Sequence, residues 1–153
     1  MRAITDADLP TVTSFWVAAW QRTLPAIDFA ARAPWLATHL GRLAAAGVQV
    51  LCAVDADDHP IGLLTIDAAT GHIDQLAVAP DHFGTGIAEA LLAQAHRRGP
   101  GHLHLTVNQD NPRAVAFYTR AGFGIVAEGA NPHSGLRTWD MVSPNRKLES
   151  LSS

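Results

Sequence analysis

The stretch Ile73–Leu92, IDQLAVAPDHFGTGIAEALL, constrains this chain more than any other. A run of branched and apolar residues, as a buried strand requires, passes Pro80 and enters a loop holding Gly84 and Gly86. The loop leads straight into an Ala/Leu-rich helical segment, from about Gly86 to Arg98, that Gly99-Pro100-Gly101 ends. Glycines at such a junction let the backbone approach a ligand closely. The unpaired N–H groups of the first helical turn, together with the helix dipole, suit a pyrophosphate. Taken alone, the feature admits a second reading as a tight turn into a helix. Gly84-x-Gly86 has Glu89 where a dinucleotide fingerprint carries its third glycine, and no G-K-[ST] follows.

The segments around it differ in period. Asp6 or Asp8 can cap a helix with Val12, Phe15, Trp16, Ala19 and Trp20 on one broad face, which Pro25 breaks. A second amphipathic segment runs from about Asp28 to Ala46, interrupted near Pro34 and closed by Gly47. Val48–Val54, Ile61–Ile66 and Ile73–Val78 are then short runs rich in branched residues. Their separators, DADDHP and DAATGH, have turn composition, so the three runs predict an antiparallel meander. Further on, His102–Val107 reads as a strand, and Asn111-Pro112 as a helix start with Asn as cap and Pro at the first helical position. That helix ends at Gly122, and Phe123–Ala127 with Arg137–Val142 predict a closing hairpin around GANPHSG. The order is α+β and compatible with one mixed sheet. It predicts one domain over 1–143 and a polar, flexible tail over 144–153.

At 153 residues the chain suits one domain better than two. With 48% apolar and 16% charged residues it has the composition of a compact globular domain rather than a disordered segment. The opening MRAITDADLP carries acids and a proline where a signal peptide needs an apolar stretch. No apolar run approaches the ~20 residues of a membrane span. The expected location is therefore the cytoplasm. A net charge of −3 argues against nucleic acid or an anionic membrane as partner. The single cysteine, Cys52, excludes an internal disulfide and reads as a buried small hydrophobe within VQVLCAV.

Downstream, LTVNQDNPRAVAFYTRAGF places Asn111 at a helix start, Ala114 one turn in, Tyr118 two turns in and Gly122-Phe123 at the exit. This segment and the glycine loop together resemble the GNAT N-acetyltransferase superfamily. Its members typically read L-x-V-x-P, then Q/R-x-x-G-x-G/A, and later N-x-x-A-x-x-x-Y-x-x-x-G-F. Here the pieces are Leu76-x-Val78-x-Pro80, Phe83-x-x-Gly86-x-Ala88 and Asn111-x-x-Ala114-x-x-x-Tyr118-x-x-x-Gly122-Phe123. Phe83 departs from the pattern, which puts a side-chain contact from that position in doubt.

The resemblance implies a central mixed, mostly antiparallel sheet flanked by about four helices. It implies acetyl-coenzyme A as co-substrate and an amine of a small molecule or peptide as acceptor. Phosphate contacts fall to Phe83, Gly84, Thr85, Gly86, Ile87 and Ala88. The pantetheine would lie along Leu76, Ala77 and Val78, and Asn111 would touch the coenzyme as well as cap its helix. An amide near Val78 would stabilise the oxyanion, and Tyr118 would protonate the departing thiolate. The acceptor nitrogen must also lose a proton, and His72 and Asp74 are the candidates for the base. They alternate with Leu76 and Val78 along one strand. Turn chemistry after Gly71 explains the same two residues, and packing against the sheet explains Tyr118.

Other features read as structural. His102 and His104 share a strand face but lack a third ligand, so no metal is expected. His82, His96 and His133 have no partners in the pattern. Trp16, Trp20 and Trp35 are core residues by spacing, with a wall of the acceptor pocket as the other reading. Three rival readings stand beside acetyl transfer to a small molecule or peptide: a coenzyme A-binding sensor or scaffold without catalysis, a transferase for a different acyl-coenzyme A, and modification of a macromolecule such as a protein N-terminus or a charged tRNA, the RNA version weakened by the absence of a basic surface. Exposed edge strands in a small domain make a homodimer plausible.

Overall fold

The change of period falls at Gly47, whose φ of +89° lets the chain leave a helix and turn directly into a strand. The structure, a computed structural model, describes residues 1–132 and 134–144. His133 and, from 145 on, the expected tail lie outside the described residues.

Helix α1 (Leu9–Thr23) buries Val12, Phe15, Trp16 and Ala19, the spacing of one helical face. Asp8 precedes it but does not cap it. Its carboxylate instead accepts from Arg2 Nη1 at 2.6 Å, Arg2 Nη2 at 2.9 Å and the Thr5 amide at 2.8 Å. These bonds clamp the short strand β1 (Arg2–Ala3) to the start of α1, and they hold the Asp8 carboxyl well below the usual carboxylate range. Helix α2 (Ala33–Ala45) follows a 3-10 turn over Ala30–Arg32. Pro34 lies in its first turn, so it opens this helix rather than interrupting one. A first-turn residue has no partner for its N–H in any case, and proline loses nothing there.

Strands β2 (Gln49–Val54), β3 (Pro60–Ile66) and β4 (Leu76–Val78) form the expected meander, with β1 added at the outer edge of β2. Every residue of β3 is buried because helices cover both faces. Leu63 packs with Val12, Trp16, Leu36 and Leu40 of α1 and α2. Leu64 packs with Leu91, Leu92 and Ala95 of α3 (Ile87–Arg98) on the other face. Fully burying one such leucine contributes roughly 1.5–3 kcal/mol. Cys52 is buried in β2, and burial pushes its thiol pKa up, away from nucleophilic use.

The expected strand Ile73–Val78 is shorter than its apolar pattern. Thr65 N donates to Gln75 O, and Asp67 N donates to His72 O. Between those bonds one side advances two residues and the other three, which makes a bulge. Thr65 Oγ1 fills the gap by accepting the amides of Asp74 (3.1 Å) and Gln75 (2.8 Å). Alternation therefore fails at the positions where His72 and Asp74 were expected to share a face.

Strands β5 (His104–Asn108), β7 (Arg137–Val142) and β6 (Gly124–Ala130) form a second antiparallel sheet in the order β5-β7-β6. Helix α4 (Pro112–Arg120) precedes β6, and Asn111 Oδ1 caps it by accepting the Ala114 amide at 3.2 Å. The hairpin extends to Ala130, beyond the expected Ala127, and β6 is exposed along its length. Among the described residues the mixed, mostly antiparallel α+β arrangement with four α-helices is as expected. The expected single sheet divides there in two, joined by one parallel bridge between His72 and His104. Among the described residues, no helix is long and apolar enough to cross a membrane.

Candidate active site

The division of the sheet makes the site. Ile73 N donates to His104 O and His104 N to Gly71 O, both at 3.0 Å. Beyond that bridge β4 pairs only with β3, and β5 only with β7, so the facing edges part. Ala79 N donates to Ile61 O at 2.9 Å. In an antiparallel ladder the next amide back points the other way, so the Val78 N–H faces away from β3, toward the gap. A cavity of about 700 Å³ opens beside it, lined by Leu76, Leu105 and Val107 among others.

The glycine loop connects β4 to α3, and neither its residues nor Val78 line that cavity. Gly84 and Gly86 have φ of +77° and +87°, and Gly86 immediately precedes α3. A Cβ at either glycine meets nothing within 4 Å, so the backbone here is open to an incoming group rather than crowded by the chain. The amides of Gly84, Gly86, Ile87, Ala88 and Glu89 donate to no carbonyl among the described residues. The Thr85 hydroxyl donates to His82 O at 2.5 Å. Phe83 lies under two guanidinium groups, Arg113 at 4.5 Å and Arg22 at 6.0 Å from its ring centroid. The departure at Phe83 therefore comes with cations from α4 and α1 beside the loop.

Tyr118 lines the cavity from α4, as does Asn111. Its ring packs edge-on against Phe117 and Phe123, with centroids at 5.2 and 5.4 Å. Burial pushes the phenol pKa well above its usual value, so Tyr118 keeps its proton at neutral pH. Among the described residues its hydroxyl has no hydrogen-bond partner.

Other parts of the lining are polar and aromatic. Asp74 lines the cavity, and its Oδ1 lies 2.6 Å from His39 Nε2. Gln75 Nε2 donates to the same oxygen at 3.1 Å, and Trp16 Nε1 donates to Gln75 Oε1 at 3.1 Å. The His39 ring stacks on Trp35 at 4.4 Å with 14° between planes. Trp16, Trp20 and Trp35 all line the cavity, and Trp16 is also part of the core. Sequence reasoning missed His39 and Gln75. The only trace of His39 was its place one turn after Trp35, on the same helical face.

The structure separates the remaining candidates from this group. His72 does not line the cavity; its ring packs against His104 at 4.9 Å. Burial, then the neighbouring His72 and His102, lowers the pKa of His104. Ala77 faces the α1 and α2 core, whereas Val78 packs in the same core cluster as Tyr118. Asp55, Asp57 and His59 come close enough to hold a metal ion, but Asp55 Oδ1 is already used by the turn amides of Asp57 and His59.

Comparison with known proteins agrees with this geometry. The acetyltransferase (GNAT) family model matches residues 9–123. Over 73 residues the chain is 37% identical to the peptidyl-lysine N-acetyltransferase YjaB of Salmonella typhimurium, a stretch covering 48% of each protein. Over 83 residues it is 34% identical to the streptothricin acetyltransferase of Streptomyces lavendulae, covering 49% of this chain and 44% of that one. The matched region thus spans about half the length of these curated relatives. Among solved structures, apo YjaB from Escherichia coli superimposes with a TM-score of 0.73 at 22% identity, over 92% of this chain and 94% of that one. The PaiA N-acetyltransferase of Thermoplasma acidophilum, in complex with coenzyme A, gives 0.73 at 19%, over 93% and 96%. At such identities the likeness is one of fold.

Proposed function

Since the chain belongs to the acetyltransferase (GNAT) family, we propose that it transfers an acetyl group from acetyl-coenzyme A directly to a primary amine of a small molecule or peptide, in the cytoplasm. The observation that carries this reading is the parting of β4 from β5, with Tyr118 lining the gap; the glycine loop between β4 and α3 supports it.

Acetyl-coenzyme A fits the residues present. Five amides without a chain partner, at Gly84 and Gly86 to Glu89, suit a pyrophosphate at the start of α3. Arg113 and Arg22 over Phe83 add positive charge beside them. Leu76 and Val78 border the slot for the pantetheine, and Asn111 lies at its α4 side. The coenzyme supplies the acetyl group as a thioester. The Val78 amide, turned away from β3, suits the carbonyl oxygen as charge develops on it. Tyr118, protonated by virtue of its burial, gives its proton to the departing sulfur. Asp74 marks the side from which the amine arrives, with Trp16, Trp20 and Trp35 lining the same cavity. His72 is the weaker candidate for the base, because its ring is engaged with His104 outside the cavity.

The test is thermal unfolding with and without millimolar acetyl-coenzyme A, with NAD as control. At ~100 times its dissociation constant a ligand adds about 2.7 kcal/mol, or about 5–10 °C for a chain of this size. A shift with acetyl-coenzyme A alone, followed by thiol release with amines, is the expected result. A shift without turnover points to the sensor reading. No shift removes the cofactor site.

A further inference from the structure

We propose that His39 is the catalytic base of the acceptor side, taking the proton from the attacking amine while Asp74 fixes its ring and balances the charge it gains. This rests on the transferase reading above.

The 2.6 Å contact between His39 Nε2 and Asp74 Oδ1 is at the short end for such a pair, as expected of a charge-assisted bond. An ionised carboxylate only accepts, so Nε2 carries the hydrogen. The neutral ring is then left with Nδ1 as its one basic position. Stacking on Trp35 fixes the plane of the ring. Asp74 is fixed in turn, by Gln75 Nε2 on Oδ1 and by its own amide on Thr65 Oγ1. Trp16 holds Gln75. The chain Trp16–Gln75–Asp74–His39 thus ties α1, the β4 bulge and α2 together on one wall of the cavity. Tyr118 lines the same cavity, so the two proton-handling groups, base and acid, serve one space. The arrangement of imidazole and orienting carboxylate is one that proton abstraction uses repeatedly. His72 lacks it: its ring packs against His104 and has no hydrogen bond to a carboxylate among the described residues.

The step balances. The amine nitrogen forms a bond to the thioester carbonyl carbon, and the C–S bond breaks with its electron pair on sulfur. The proton from nitrogen goes to His39 Nδ1, and the Tyr118 proton goes to sulfur, giving amide and free thiol. His39 then returns its proton to solvent, and Tyr118 recovers one from it.

The experiment measures thiol release by the full chain with acetyl-coenzyme A and three probe amines: an Nα-blocked lysine amide, spermidine and phenethylamine. His39→Gln keeps a hydrogen-bond donor at the Nε2 position for Asp74 but has no basic nitrogen, so it separates a base from a mere prop. The expected result is a fall in kcat of about 100-fold or more for His39→Gln and His39→Ala, with partial recovery of His39→Ala by added imidazole. The melting shift with acetyl-coenzyme A should persist in both. Activity of His39→Gln within about threefold of the unaltered protein overturns the proposal and leaves the transferase reading intact. Absence of turnover by the unaltered protein with all three amines overturns the transferase reading, and the base with it. If both His39 variants fail to fold, the isosteric Asp74→Asn decides. A loss of tenfold or more in kcat at unchanged KM for acetyl-coenzyme A supports the pair, and unchanged kcat overturns it.

Discussion

The two flanks of the cleft are made of different materials. On the glycine-loop side the donors are backbone amides, at Gly84 and Gly86 to Glu89, and the Thr85 hydroxyl is engaged with His82 O. On the facing side the functional groups are all side chains, drawn from α1, α2, the β4 bulge and α4. A backbone site depends on φ angles that only certain residues adopt. A side-chain site depends on packing among residues far apart in the chain. The first should tolerate side-chain changes that keep the turn, whereas the second should fail when a single functional atom is removed.

The largest effect that sharpens this contrast is expected at Tyr118. Removing its hydroxyl in Tyr118→Phe should lower kcat by about 100-fold or more, while the acetyl-coenzyme A dissociation constant stays within about twofold. Steady-state thiol release and a binding titration check the two halves. Equal losses in both would break the contrast, by making Tyr118 a cofactor-binding residue.

The next effect belongs to the backbone side. Gly86→Val forces a β-branched residue into φ +87° and aims its side chain into open space at the start of α3. Strain of this kind costs about 1–3 kcal/mol. Relief of it by reshaping the loop should weaken acetyl-coenzyme A about tenfold or more, with kcat at saturation nearly kept. An unaltered dissociation constant would show that the amides of the loop are not used.

The smallest effect is a control away from both flanks. Asp8→Asn should lower the melting temperature by roughly 2–6 °C at pH 7 and leave turnover unchanged. The Asp8 pKa in the folded chain is depressed, chiefly by its hydrogen bonds with Arg2, so its stabilising contribution is complete above the unfolded value of ~3.9. That contribution is lost as pH falls below it, and the two melting curves should converge only under about pH 4. A constant gap from pH 7 to pH 3 would show that the charge of Asp8 is not what holds β1.

This contrast also explains what was legible in the sequence. Gly84, Gly86, Asn111 and Pro112 are residues that backbone geometry selects, so the loop, the cap and both helices could be read from residue type and spacing. The meander was legible for the same reason. The pairing of His39 with Asp74 was not, because it joins residues 35 apart whose proximity depends on how α2 packs on the sheet. Strand alternation grouped His72 with Asp74, and the bulge at Thr65 separated them. That bulge is a local hydrogen-bond choice by one hydroxyl, which no period records. The parting of the sheet was equally hidden, since nothing in the runs at Ile73–Val78 and His102–Val107 distinguishes strands that pair throughout from strands that touch once.

That one-bridge junction has a practical side. A sheet edge with free amides and carbonyls is normally confined to the outside of a protein, where charge, proline or a bulge protects it. Here β4 and β5 each keep such an edge inside the cleft, and the apolar residues Leu76, Leu105 and Val107 beside it offer little protection. Hydrogen exchange at the unpaired amides of that edge, Val78 among them, should therefore be fast in the empty protein and slow when acetyl-coenzyme A is added.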